Sequence, residues 1–211
     1  MKCTVESWPW AWRTGDSLEA VPPALGTRLR MELELLLDRE PWEKALQLLR
    51  AWSAMPLLDP CLQTDRRLIR RLYQASRLGL STMTALVAAS SDPLQLGSRL
   101  QVPLHQQRLL EALIELRCWI DAERLPQPWK KWNALEWTSR LERERWPVEA
   151  VALAVTDNYL CRRPLLRWWG CWRHVTSPVS AHELIAQGTP PGLELGEALC
   201  RRREQELRKM R

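Results

Sequence analysis

The 211-residue chain has no phenylalanine and only two tyrosines, so its aromatic chemistry falls to 13 tryptophans. Tryptophan is amphipathic, and many of these rings are expected to keep one edge in water. No apolar run reaches the roughly 18 residues that a membrane-spanning helix needs, which excludes a membrane partner of that kind. The start of the chain, Met1-Lys2-Cys3-Thr4-Val5-Glu6, carries an acid and lacks the apolar stretch of a signal peptide, so a cytoplasmic location is expected. The six cysteines are scattered without a CxxC pair, in a chain large enough to fold without staples, and they read as reduced thiols.

Catalytic signatures are equally scarce. Two-metal phosphoryl or nucleotidyl transfer needs closely spaced carboxylates, and no two aspartates stand within five positions of each other. There is no D-x-D pair, no glycine-rich turn after a strand for a P-loop or dinucleotide site, and no G-x-S-x-G nucleophile motif. Of the histidines, only His174 stands near a thiol at ligand spacing, three residues from Cys171. That is half a site, so no metal is expected.

What remains is a globular composition, 45% hydrophobic and 27% charged, with 31 Lys and Arg against 25 Asp and Glu, a net charge of +6. That balance favours an anionic partner. Length admits one extended domain or two small lobes.

Helical periodicity begins near Ala24. Leu25, Leu29, Leu33 and Leu36 recur every three or four residues, with Arg28, Arg30, Glu32 and Glu34 between them. Pro41 opens a second helix running to about Ala54, and Asp65 caps a third that ends at Gly79. Shorter helices over 82–89 and 93–100 follow Ser or Asp caps. Pro103 opens a longer one whose buried stripe is expected at Leu104, Leu109, Leu113, Leu116 and Ile120. Pro126 and Pro128 break the pattern, and further helices are expected over 132–145, 148–157, 164–175, 181–187 and 190–210. No segment alternates as a strand does. The predicted fold is therefore all-α, an elongated multi-helix array with an extended Trp- and Pro-rich arm over 1–23, a helical body over 24–125 and a helical tail domain over 126–211.

Candidate binding residues lie in the tail. Arg162, Arg163, Arg167 and Arg173 interleave with Trp168, Trp169 and Trp172, a pattern suited either to bases and phosphates or to a helix packing its tryptophans in a core. Glu142 to Arg145 reads as a solvated, mixed-charge face. Gly188 fits the left-handed stop of a short helix, Thr189 the cap of the next, and Pro190-Pro191 its first turn. Gly192 and Gly196 then share one face. Each costs up to about 1 kcal/mol against alanine, which predicts a close neighbour, either a helix or a phosphate. The Arg201-Arg202-Arg203 cluster completes the basic end of the chain.

The segment Glu183-Leu184-Ile185-Ala186-Gln187-Gly188-Thr189-Pro190-Pro191-Gly192-Leu193-Glu194-Leu195-Gly196-Glu197-Ala198-Leu199 resembles the tail of bacterial CCA-adding tRNA nucleotidyltransferases and their poly(A) polymerase relatives. Gly26-Thr27-Arg28-Leu29-Arg30-Met31-Glu32-Leu33 is similar to the last motif of the family's neck, where an Arg and a Glu help to shape the nucleotide pocket. Residues 45–60 resemble the helix and Leu-rich turn that open the body, with Ser53 where the family usually has a helix-ending glycine. The resemblance implies the end of the neck, the body and the tail, which in that family hold tRNA by its shape and phosphates. It makes Arg28 and Glu32 remnants of a nucleotide pocket. The Gly-Ser and Asp-x-Asp motifs of the catalytic head have no counterpart here. The resemblance thus implies a tRNA-binding module inactive alone and without a cofactor, Mg²⁺ entering only with a separate nucleotidyltransferase head. The alternative is a helical scaffold that docks such a head or another protein.

Overall fold

The computed structural model describes residues 23–39, 41–122, 132–157 and 161–210. Among them are twelve α-helices and no strand. They are α1 (Pro23–Arg39), α2 (Trp42–Ala51), α3 (Pro60–Thr64), α4 (Leu68–Arg77), α5 (Thr82–Ala88), α6 (Pro93–Arg99), α7 (Leu104–Ala122), α8 (Ala134–Arg143), α9 (Val148–Thr156), α10 (Arg162–Gly170), α11 (Ala181–Ala186) and α12 (Leu193–Lys209). The chain is an all-α multi-helix array. Of the expected N-terminal arm only Pro23 is described, and it opens α1. No described helix is long and apolar enough to cross a membrane.

The hub is α9. Its sequence Val148-Glu149-Ala150-Val151-Ala152-Leu153-Ala154-Val155-Thr156 is apolar almost all round, and every residue from Ala150 to Thr156 is buried. Such a helix is stable only when neighbours cover every side, and α7, α10 and α4 do so. One connected core therefore runs from Leu33 on α1 to Leu207 on α12. It crosses the expected boundary between 24–125 and 126–211, while the joint at 123–131 lies outside the described residues.

Tryptophan takes the place of the missing phenylalanine. Trp119 of α7 stands 5.9 Å from Trp132, 6.3 Å from Trp137 and 5.1 Å from Trp146, ring centre to ring centre, and Trp132 lies 5.0 Å from Trp137. Trp137 is buried and the other three rings are half-buried, which ties α8 to α7. Each such aromatic contact adds about 0.5–1.5 kcal/mol beyond its burial.

Local signals set most helix ends. Ser81 and Asp92 cap α5 and α6 through the backbone N–H groups of Thr84 and Gln95, and Asn133 and Ser180 form capping boxes with Glu136 and Glu183. Gly79 and Gly188 take positive φ at the ends of α4 and α11, the stops that left-handed glycine supplies. Three expectations need correction. The buried stripe of α7 is Leu110, Leu113, Leu116 and Ile120, with Leu104 exposed at its start and Leu109 half-buried. Helix α2 ends at Ala51, because Ser53 turns to a φ of 53°. Helix α12 begins at Leu193, not Pro190, since Gly192 adopts φ 129° and ψ −144°, a conformation no helix contains.

Candidate nucleic-acid interface

Four arginines are used up in holding the fold. Arg50 donates to the carbonyls of Leu62 and Asp65, and Arg99 to those of Leu57 and Leu58, fixing the irregular chain between α2 and α4. Arg117 of α7 donates to both carboxylate oxygens of Asp157 at 2.8 and 3.0 Å and to the carbonyl of Ala88, joining the C-terminal ends of α5 and α9. Burial pushes the Asp157 carboxyl above its usual range, against the opposing pull of Arg117. Arg203 forks onto Glu142 at 2.8 and 2.5 Å and donates to the Val175 carbonyl, which pins α12 to α8.

A second set is held by nothing of the kind. Arg66, Arg67 and Arg70 on and before α4, with Arg162 and Arg163 at the start of α10, make no ion pair or side-chain hydrogen bond among the described residues. The C-terminal end of α9 packs beside α4 while α10 leads away from it, so Arg67, Arg70 and Arg71 meet Arg162 around a narrow cleft completed by Gln74 and Thr156. No acid lines that cleft. Asp65 faces Arg71 at 3.5 Å from one side and is the one acid among the charged residues from 65 to 77, against five arginines. Like charges gathered this closely in a partly dry cleft repel, and guanidinium forks beside a hydroxyl and an amide suit phosphate oxygens and sugar hydroxyls. Cys161, at the start of α10, is not a second functional group here: burial pushes its thiol up to about 11, which keeps it protonated and inert.

The expected site residues divide in two. Arg162, Arg163 and Arg167 stand together along α10, Arg162 half-buried at the cleft and the other two exposed. Arg173 follows in the turn after it, its Nε donating to the Trp169 carbonyl at 2.5 Å and its guanidinium 5.5 Å from the Trp169 ring. Trp168 and Trp172 are core residues, and Trp169 is half-buried. The α12 cluster lies apart and is largely neutralised. Arg201 pairs with Glu197, Arg203 with Glu142, Arg208 with Glu204 and Lys209 with Glu206, leaving Arg202. Gly188, Gly192 and Gly196 have open space where a Cβ would stand, so no neighbouring helix explains the two glycines of α12. Arg28 and Glu32 share an exposed face of α1 and line neither this cleft nor the groove described next.

The sequence reading missed Arg66, Arg67, Arg70 and Arg71, whose signal was four arginines within six residues against one acid. It also passed over a second concavity at the other end of α9. A groove of about 370 Å³ opens there between the end of α8 and the end of α10, with Arg145, Trp146, Trp168, Arg173 and His174 on its walls and Glu142 at its edge. Trp168 is 4% exposed, and its indole N–H has no acceptor. Arg145 holds a φ of 56°, a conformation that costs a non-glycine residue of order 1–2 kcal/mol. Among the described residues no three His, Cys, Asp or Glu side chains gather as a metal site. Comparison with known proteins finds no matching family model, no matching curated protein and no matching solved structure.

Proposed function

We propose that this chain binds RNA, with tRNA as the substrate class that the sequence resemblance implies, and that the contact surface is the cleft between α4 and α10 continued along the exposed arginines of α10. One observation carries the reading: Arg67, Arg70 and Arg162 come together from distant parts of the chain without an acid to neutralise them. Phosphate supplies the missing charge. Gln74 and Thr156 supply hydrogen bonds that a ribose hydroxyl can share, the feature by which proteins tell RNA from DNA. In this reading the helix array positions RNA by backbone contacts and shape, and transfer chemistry belongs to a separate nucleotidyltransferase head with its own Mg²⁺. Fluorescence anisotropy with labelled tRNA tests it. Arg70→Ala combined with Arg162→Ala should weaken binding at least tenfold, and an unchanged affinity contradicts the assignment.

A second reading has its own observation. Leu25, Leu29, Met31 and Leu35 on α1 and Leu48 and Trp52 on α2 are exposed, and such apolar surface marks a contact with another protein. A separate catalytic head is the partner this scaffold reading names. Sedimentation with and without a family head distinguishes the two readings, because a scaffold binds the head whether or not RNA is present.

A further inference from the structure

We infer that the groove between α8 and α10 is a nucleobase site, which takes one unpaired base of the RNA whose phosphates lie along α10. The inference rests on the RNA reading for the identity of its ligand, and on three features of the groove for its chemistry.

The first is the indole N–H of Trp168, a buried donor on the groove wall with no acceptor in the protein. Buried donors are almost always paired, and one left open beside a cavity calls for an acceptor that arrives from outside. Ring nitrogens and carbonyl oxygens of a base are such acceptors. The second is the wall formed by Trp146, whose ring is held from behind by Trp119 at 5.1 Å and so is preset as a stacking surface. Single-stranded bases are recognised by stacking on rings of this kind combined with hydrogen bonds to their edges.

The third is charge. Arg145 and Arg173 flank the groove, while the carboxylate of Glu142 is engaged by Arg203 and does not repel an anion. Arg145 also occupies the position after α8 where a helix commonly ends on glycine, in the left-handed conformation glycine prefers. A strained non-glycine residue beside a cavity is the usual mark of a side chain kept for its function.

The geometry links the two concavities. The groove lies at the Val148 end of α9 and the basic cleft at the Thr156 end, about 12 Å apart at 1.5 Å per residue. Exposed Arg163 and Arg167 lie on α10, the helix that runs between them. A single strand following α10 would meet arginines along its backbone and reach the groove with a base within one or two nucleotides of the cleft.

The test uses the full chain with the indole nitrogens labelled by ¹⁵N. The Trp168 N–H resonance is assigned by its loss in Trp168→Phe, and AMP and ribose 5-phosphate are titrated separately. AMP should shift this resonance and saturate in the millimolar range, ribose 5-phosphate should leave it in place, and Arg145→Ala should weaken AMP at least fivefold. Equal shifts from both compounds would mean an anion site without base recognition and would overturn the inference, as would no shift with AMP. Where Trp168→Phe fails to fold, residue-specific assignment in the wild-type chain and Arg145→Ala at the exposed rim carry the same comparison. The two proposals fail separately: tRNA bound through α4 with no AMP response removes the base site alone, and an AMP response in a chain that does not bind tRNA removes the RNA reading alone.

Discussion

Asp59 is the side chain whose removal should be felt furthest from its own position. One carboxylate oxygen accepts from the Cys61 N–H at 2.7 Å and caps α3, and the other accepts from the Ser91 N–H at 2.9 Å and the Ser91 hydroxyl at 2.6 Å. A 7% exposed acid thus ties the entry of α3 to the loop between α5 and α6, 32 residues away. Losing a cap costs about 1 kcal/mol. The two bonds from Ser91 to a charged acceptor add about 2 kcal/mol together, taken low because Ser91 is exposed and recovers water. Asp59→Ala should therefore destabilise by about 3 kcal/mol and lower Tm by roughly 6–12 °C for a chain of this size. The pH dependence carries a sign. Burial alone would raise this carboxyl, yet the hydrogen bonds from Ser91 and Cys61 outweigh it and hold it below its usual value. The folded chain then binds the proton less tightly than the unfolded chain, so the stabilisation is present above about pH 4 and is lost as acid titrates the folded carboxyl. Asp59→Asn has no such carboxyl, and its deficit against the wild type should be constant above about pH 5 and shrink below pH 4. Thermal unfolding followed by circular dichroism from pH 3 to 7 measures both. A Tm within 1 °C of wild type for Asp59→Ala, or a deficit for Asp59→Asn that grows in acid, refutes the reasoning.

Three further changes test other parts of the fold. Ser53 holds φ 53° at the position where the resembling family ends a helix on glycine, so Ser53→Gly should raise stability by about 1 kcal/mol in urea unfolding; destabilisation would contradict the strain. A Cβ on Gly26 would collide with the Arg99 carbonyl oxygen, so Gly26→Ala should cost about 1–3 kcal/mol by pushing α1 off the end of α6, visible as a lower urea midpoint. Arg203→Ala should speed hydrogen exchange along α12 at least tenfold, whereas Arg202→Ala, which breaks no ion pair, should leave it unchanged.

Much of the fold was legible because helices announce themselves locally. Ser81, Asp92, Ser180, Gly79 and Gly188 act within a few residues of themselves, and the periodic leucines of α4 and α7 need only a core to face. What was not legible depends on distant partners. The α4 arginines read as the solvated side of an amphipathic helix, and nothing within residues 66–71 tells that Arg162, more than 90 positions later, closes the same cleft. Arg203 looked like part of a basic cluster, and only its placement opposite Glu142 turns it into a fastening for α12. Pro190-Pro191 read as a first helical turn because proline fits there, but the backbone of Gly192 delays the start of α12 to Leu193. The groove escaped because Trp168 was expected to serve either a core or a base, and the structure buries its ring while leaving its N–H unpaired.

The central claim is that cations on α4 and α10, and not those on α12, meet RNA phosphates, and the salt dependence of tRNA binding tests it most directly. With about three to five phosphates neutralised, log K should fall against log[salt] with a slope of roughly −2 to −4. Arg67→Ala with Arg70→Ala should flatten that slope by about 1 to 2 for every tRNA alike, since phosphate contacts position without specifying sequence. Arg201→Ala with Arg202→Ala should leave the slope within about 0.5 of wild type. The account predicts that contrast, and a slope that responds to the α12 pair while ignoring the α4 pair contradicts it.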